Sequence, residues 1–133
     1  MGKDLNELDT ETRLKVDQLL AMAAESGLDL VIEDTGRTPE EQVGKVALGV
    51  SWTMNSMHLP QPPEGKSRAI DLVPRACLSL KYWGWNGTVM NSDWRWGKLI
   101  DLAESVGLHS GVHFAHPDPG HCELRPGPKV VTA

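Results

Sequence analysis

The sequence predicts a small α+β domain, in which about three helices pack on a short, mainly antiparallel sheet. Three segments carry apolar residues at helical spacing behind a capping residue, and four short β-rich runs lie between and after them. The runs do not follow the repeated strand, helix, strand order of parallel α/β proteins. At 133 residues the chain has the length of one domain. We therefore expect a single domain over residues 1–133, without a separate binding module.

The first helix is predicted over residues 10–26. Asp9 or Thr10 can cap its start, Glu11 suits the first turn, and Gly27 favours its end. The run "LDLVIED" follows directly and predicts a strand, because it is apolar and rich in β-branched residues.

A second helix is predicted to begin behind Thr38, with Pro39 at its first position and acidic residues in its first turn. It should run to about Leu48 and stop at Gly49. Residues 51–65 are polar and proline-rich, which excludes helix and central strand and predicts a loop.

The run "RAIDLVP" predicts the next strand. Ser92 or Asp93 can cap a third helix that ends at Gly107. "LHSGVHF" and "HCEL" are predicted as short strands joined by the loop "AHPDPG", and the tail from about residue 125 should be loose.

Composition excludes several function classes. The formal charge is -5 and no cluster of Lys and Arg is present, so we expect neither a nucleic-acid partner nor an anionic-membrane patch. No segment resembles a signal peptide or a membrane anchor. Cys77 and Cys122 are too few for a disulfide framework and should be buried thiols. The clustered tryptophans favour packing over a ligand platform.

Three segments contain residues suited to a zinc peptidase site. Such a site needs three ligands from His and carboxylate, an open position for water, and a separate carboxylate base. His58, Asp71 and His121 can supply the ligands, leaving Asp118 or Glu123 as the base. Spacing alone does not choose between these two carboxylates.

Other interpretations remain for the same residues. Asp-Pro-Gly is a common turn sequence, and His113-x-x-His116 could form a metal pair. Asp71 is harder to explain without a partner, because a carboxylate inside an apolar strand is costly to bury. Strand alternation would direct Cys122 to the core, away from any metal.

Five segments in order, "DTGRTPEEQ", "GVSWTMNSMH", "SRAIDLVP", "WGKLIDLAESVGL" and "DPGHCEL", carry a family resemblance. Together they resemble the zinc-dependent peptidoglycan peptidases, which include D-alanyl-D-alanine carboxypeptidases and the L-alanyl-D-glutamate peptidases of bacteriophage endolysins. The likeness is to the endolysin branch and spans about residues 30 to 124. The family pattern is Ser-x-His, then Gly-x-Ala-x-Asp, then a carboxylate followed three residues later by His and shortly by Glu.

The resemblance implies one zinc ion on His58, Asp71 and His121, with Asp118 as the catalytic base. It also implies that Arg37 points into the cleft and holds a substrate carbonyl or carboxylate, a role suited to a permanently charged guanidinium.

Supporting or substrate-binding roles are implied for Ser56, Gln42 and Glu123. The sequence departs from the family at one place near the metal. Twelve residues separate His58 from Asp71, where the family has six. Either Ser67 stands where the family has glycine, or Gly65 is that glycine displaced. Lengthening a loop costs little, roughly 0.6 kcal/mol per doubling. We expect the insertion to reshape one wall of the cleft.

The resemblance implies hydrolysis of the L-Ala–D-Glu bond in peptidoglycan stem peptides by a monomeric phage-type endolysin. Such a protein would accumulate in the host cytoplasm and reach the wall with the help of a holin-type partner. Two alternatives are a D-alanyl-D-alanine carboxypeptidase or dipeptidase of the same family, and a non-catalytic wall-binding module stabilised by zinc. A further possibility is that His113 or His116 replaces His58 as a ligand.

Overall fold

The computed structural model describes residues 2–48 and 56–126. The helices are α1 (Thr10–Glu25), α2 (Pro39–Ala47) and α3 (Trp94–Ser105), and the strands are β1 (Leu30–Asp34), β2 (Ala69–Pro74), β3 (His109–Ser110) and β4 (His121–Glu123). Short 3-10 turns lie at Leu5–Glu7, Arg75–Cys77, Lys81–Gly84 and Gly111–His113. The predicted α+β class is confirmed. The predicted helix stop at Gly49, the first part of the predicted loop and the predicted loose tail beyond residue 126 lie outside the described residues.

Each helix begins at a side-chain cap that the sequence predicts. Asp9, Thr38 and Asp93 each accept a hydrogen bond from a backbone N–H of the first turn, at 2.8, 3.1 and 3.0 Å respectively. These bonds satisfy donors that have no partner inside the helix. Of the two alternatives for α3, Asp93 is the cap and Ser92 is not.

The four strands form one sheet in the order β1-β2-β4-β3, and each neighbouring pair is antiparallel. The predicted strand "LHSGVHF" is wrong beyond its first residues, because β3 contains only His109 and Ser110. The Ser110 side chain accepts a hydrogen bond from the Val112 N–H at 3.1 Å and starts the 3-10 turn that follows. This local bond competes with the extended strand conformation.

A β-bulge in β1 sets which residues face one another across the sheet. Ile32 pairs with Leu72, but Asp34 pairs with Asp71, so Glu33 is the extra residue. Asp71 in turn pairs with His121 of β4. Directly opposed residues of antiparallel strands lie on the same face. Asp34, Asp71 and His121 therefore form one polar row across three strands.

The hydrophobic core lies between the sheet and the helices α1 and α3. Leu19, Ile70 and Leu99 are fully buried in it, and each such side chain stabilises the fold by about 1.5–3 kcal/mol relative to exposure. Cys122 pairs with Ile70 across the strands and is also fully buried in this core. Among the described residues, no helix combines the length and apolar character needed to cross a bilayer.

A buried ion pair connects α1 to the sheet. Arg68, just before β2, donates from Nη1 to Asp9 Oδ2 at 2.6 Å and from Nε to the Leu124 carbonyl at 2.9 Å. Asp9 is 1% exposed and Arg68 8%. Asp9 thus caps α1 and fixes the start of β2 at the same time.

Candidate metal centre

Three ligand atoms converge at the row of polar residues on the sheet. His58 lies in the loop before β2, Asp71 in β2 and His121 in β4. Asp71 Oδ1 lies 3.0 Å from His58 Nε2 and 3.1 Å from His121 Nδ1. The possible ligand atoms of the three residues all lie within 4.8 Å of one another. Two imidazoles and a carboxylate at this spacing are a donor set that suits zinc.

The outer nitrogen of each histidine has an acceptor of its own. His58 Nδ1 donates to the Thr35 carbonyl at 2.5 Å, and His121 Nε2 donates to Glu123 Oε1 at 2.7 Å. A carbonyl oxygen can only accept, so His58 carries a proton on Nδ1, and its Nε2 is the nitrogen that faces Asp71 and could bind a cation. Zinc-binding histidines generally show this arrangement. The residues present therefore fit a zinc ion.

Electrostatics favour a cation between these groups. Burial would raise the pKa of Asp71, but the positive charges and hydrogen bonds of His58 and His121 outweigh it and hold that pKa well below its ordinary value. Burial would lower the pKa of His121, but the hydrogen bonds to Asp71 and Glu123 raise it to about 10. A metal ion that binds here must displace the proton from His121 Nδ1.

Asp118 lies in a tight turn beside the ligands. The His121 N–H donates to the Asp118 carbonyl at 3.2 Å, and the Asp118 N–H donates to the Gly111 carbonyl at 2.9 Å. A Cβ atom at Gly111 would lie 2.5 Å from the Asp118 carbonyl oxygen and 2.8 Å from the His121 Cβ, so only glycine allows this approach. Although the residue as a whole is exposed, protein atoms partly desolvate the carboxyl group. This desolvation, together with the negative charge of Asp71, raises the pKa of Asp118.

Arg37 is held at the edge of the same cluster. Its Nε donates to Asp34 Oδ2 at 2.6 Å, its Nη1 to Gln42 Oε1 at 2.9 Å, and its Nη2 to Asp71 Oδ2 at 3.4 Å. The Arg37 side chain is 9% exposed. The structure therefore places Arg37 against a candidate metal ligand, and its contact with a substrate stays a prediction.

Asp34 is a site residue that the sequence analysis missed. It is 2% exposed and ends β1, where an acidic residue would ordinarily face solvent. The available sequence signal was its position three residues before Arg37, with which it forms an ion pair. The bulge that directs it towards Asp71 has no clear sequence signature.

The residues predicted to support the site lie close to it. Ser56 Oγ accepts a hydrogen bond from the His58 N–H at 3.2 Å and so orients the loop that carries this ligand. Gln42 is fully buried in α2 against Arg37. Glu123 accepts from His121, and its other oxygen accepts from Arg125 Nε at 3.0 Å.

The alternative histidines lie apart from the three ligand atoms. His113 Nε2 contacts Glu104 Oε1 at 2.8 Å, with the His113 side chain 54% exposed. His116 is exposed in the loop before Asp118. Within residues 2–48 and 56–126, the triad of His58, Asp71 and His121 is the one group of three or more potential ligands close enough to share a metal.

The inserted proline-rich loop contacts both α1 and the surroundings of the site. Glu64 at its tip accepts hydrogen bonds from the Thr10 N–H and Oγ1 at 2.9 and 2.7 Å. Pro60 and Lys66 at its two ends line a pocket of about 370 Å³ together with Arg37, His58 and seven further residues. The ends of the loop thus lie beside Arg37 and His58 and its tip stabilises the start of α1, while its effect on a substrate cleft stays a prediction.

The two cysteines take no part in the centre. Cys122 is fully buried, and burial raises its pKa, which keeps the thiol protonated. Burial and the charge of Asp93 raise the pKa of Cys77 to about 11.

The arrangement of helices and sheet is similar to that of a solved structure, the L-Ala D-Glu endopeptidase ChiX of Serratia marcescens. The match has a TM-score of 0.60 and covers 91% of this chain and 83% of that one. The two sequences are 16% identical, so the likeness shows the fold alone. No protein-family model matches the sequence, and no curated protein matches it.

Proposed function

We propose that the protein is a zinc-dependent peptidoglycan peptidase that hydrolyses the L-Ala–D-Glu bond of stem peptides. The observation that carries the proposal is the convergence of His58 Nε2, Asp71 Oδ1 and His121 Nδ1, with the outer nitrogen of each histidine already bound by an acceptor. The fold shared with an L-Ala D-Glu endopeptidase supports the choice of bond.

The zinc ligands, Asp118 and Arg37 have separate roles in the proposed reaction. A zinc ion on the three ligands would polarise the scissile carbonyl and make a water molecule more acidic. Asp118 takes the proton of the attacking water and passes it to the leaving amine of D-Glu. Its raised pKa makes it a stronger proton acceptor than an ordinary aspartate. The Arg37 guanidinium would stabilise the oxyanion that forms on the carbonyl oxygen.

The direct test is incubation of the zinc-loaded protein with a purified muropeptide that contains both candidate bonds. We expect products separated between L-Ala and D-Glu, identified by mass spectrometry. Release of the terminal D-Ala would instead indicate a carboxypeptidase. An intact peptide, with zinc confirmed in the protein, would contradict a peptidase of either kind.

Asp118→Asn separates an enzyme from a wall-binding module stabilised by zinc. The variant keeps the size of the side chain but cannot accept the proton, so kcat should fall about 100- to 10,000-fold. Its zinc content should equal that of the unmodified protein. Asp101→Asn, an exposed change on α3, is the matched control and should retain full activity. Equal wall lysis by Asp118→Asn and the unmodified protein would favour the non-catalytic alternative.

We also propose where the protein accumulates and how it reaches the wall. A phage-type endolysin would accumulate in the host cytoplasm as a monomer and act on the wall after a holin-type partner opens the inner membrane. The formal charge of -5 offers little attraction to an anionic surface, which agrees with release by a partner.

A further inference from the structure

The two oxygens of Asp71 have different partners. Oδ1 faces both histidine ligands, at 3.0 and 3.1 Å. Oδ2 accepts from Arg37 Nη2 at 3.4 Å. A carboxylate can bind a metal through one oxygen or through both, and the second mode occupies an additional coordination position. The contact with Arg37 therefore bears on how many positions around a bound metal remain open.

Two residues other than Asp71 fix the orientation of Arg37. Asp34 Oδ2 holds Nε at 2.6 Å and Gln42 Oε1 holds Nη1 at 2.9 Å. Asp34 is 2% exposed and Gln42 fully buried. Because the guanidinium is planar, fixing Nε and Nη1 leaves one direction for Nη2, and that direction is towards Asp71.

Asp34 is retained at a cost. Its Oδ1 is buried and has no hydrogen-bond partner among the described residues. Leaving a buried acceptor without a partner costs on the order of 1–3 kcal/mol. The β-bulge that places this side chain opposite Asp71 also interrupts the ladder between β1 and β2. Both features coincide at the residue that holds Arg37.

We propose that Asp34 is a positioning residue for the metal centre. It orients Arg37 so that Arg37 keeps its hydrogen bond to Asp71 Oδ2, and Asp71 therefore binds zinc through Oδ1 alone. One position then remains open for water and substrate, as a catalytic zinc site needs. This inference rests on the proposed function for its purpose, but the arrangement can be tested without a substrate.

The test uses Co²⁺ in place of zinc, because the visible absorption of Co²⁺ weakens as its coordination number rises. We expect a strong absorption band for the unmodified protein and a weaker one for Arg37→Ala and Asp34→Ala, in which Oδ2 is free to join the metal. Asp34→Asn keeps the side-chain size but loses the charge, and should change the spectrum in the same direction. Zinc affinity should rise in these variants, because Oδ2 becomes available as a second donor atom of Asp71.

Asp9→Asn is the matched control, since it also removes a buried carboxylate 2.6 Å from an arginine, but away from the metal centre. It should lower stability and leave the Co²⁺ spectrum unchanged. If Asp34→Ala fails to fold, Asp34→Asn decides the question. An unchanged spectrum together with an unchanged zinc affinity in folded Asp34→Asn would overturn the inference. An unchanged spectrum in Arg37→Ala would overturn it as well. Cleavage of the stem peptide is measured separately. If the unmodified protein cleaves the peptide but Asp34→Asn leaves the spectrum and the zinc affinity unchanged, only this inference is overturned.

Discussion

Glu123 contacts the candidate metal centre through His121. Its Oε1 accepts the His121 Nε2 proton at 2.7 Å, and Arg125 holds its other oxygen. A carboxylate in this position orients the ring and makes the nitrogen that faces the metal more basic. Its role is therefore visible in metal affinity and does not require contact with the substrate.

We expect Glu123→Gln to lower zinc affinity about 10- to 100-fold, because the amide loses the charge that favours a correctly oriented His121. Competition with a chelator of known affinity measures this. Glu104→Gln is the control, because Glu104 contacts the exposed His113 at a similar distance of 2.8 Å. Equal zinc affinities for Glu123→Gln and Glu104→Gln would contradict this role for Glu123.

Strand alternation was sufficient to predict part of the site at the level of single residues. It placed Cys122 in the core, which agrees with the full burial of that residue. Asp34 could not be predicted in the same way. Its direction depends on an extra residue in β1, and a bulge alters alternation without leaving a pattern in the sequence.

Among the elements, α1 depends on a residue with two roles. Asp9 caps the helix by accepting from the Thr12 N–H and pairs with Arg68. Burial would raise the pKa of Asp9, but the hydrogen bonds from Thr12 and the charge of Arg68 outweigh it and hold that pKa below its ordinary value. The folded state therefore favours the charged carboxylate.

Asp9→Asn should lower the free energy of unfolding by about 2 kcal/mol at pH 7, because asparagine still caps a helix but loses the charged partner of Arg68. A folded-state pKa below the unfolded value stabilises the protein above the unfolded pKa, and this contribution is lost as the pH falls through the folded pKa. The difference between the two proteins should therefore shrink below about pH 4. Urea unfolding at several pH values measures it, and a constant difference down to pH 2 would contradict the assignment.

Element prediction succeeded where a local signal was strong. The caps and the glycines at helix ends gave the starts and ends of α1 and α3 to within two residues. It failed at β3, where a serine hydroxyl turned the chain after two strand residues. Short apolar runs carry too little periodicity to exclude such a turn.

For the whole molecule, the metal should act as a structural clamp, since its ligands come from a loop and from two strands. Zinc at 100 times its dissociation constant should stabilise the folded state by about 2.7 kcal/mol. This corresponds to a rise in Tm of roughly 10 °C for a domain of this size.

The rise in Tm should disappear in His58→Ala and persist in His113→Ala, which thermal unfolding with zinc and with a chelator would show. The comparison also tests the alternative ligand set. A rise that persists in His58→Ala and is lost in His113→Ala would show that the insertion has displaced His58 from the metal.

The α+β class was predictable because it depends on the number and order of periodic segments. The proximity of His58, Asp71 and His121 was not available from spacing, since 49 residues separate the last two. The resemblance to a family predicted that the three residues share one zinc ion, and in the structure their possible ligand atoms lie within 4.8 Å of one another. The contact of the proline-rich loop with Thr10 followed from neither source.

The bulge at Glu33 also bears on which changes of chain length the protein can tolerate. The loop between His58 and Asp71 is six residues longer than in the family pattern, and its tip still finds a place against α1. Deleting Glu33 alone would leave Asp34 opposite Asp71 in a regular ladder, but it would remove the bulge that directs the Asp34 side chain towards Arg37. A single-residue deletion in β1 should therefore be more harmful than the removal of several residues from the loop. In an alignment of homologues, gaps should collect at the loop and be absent from β1.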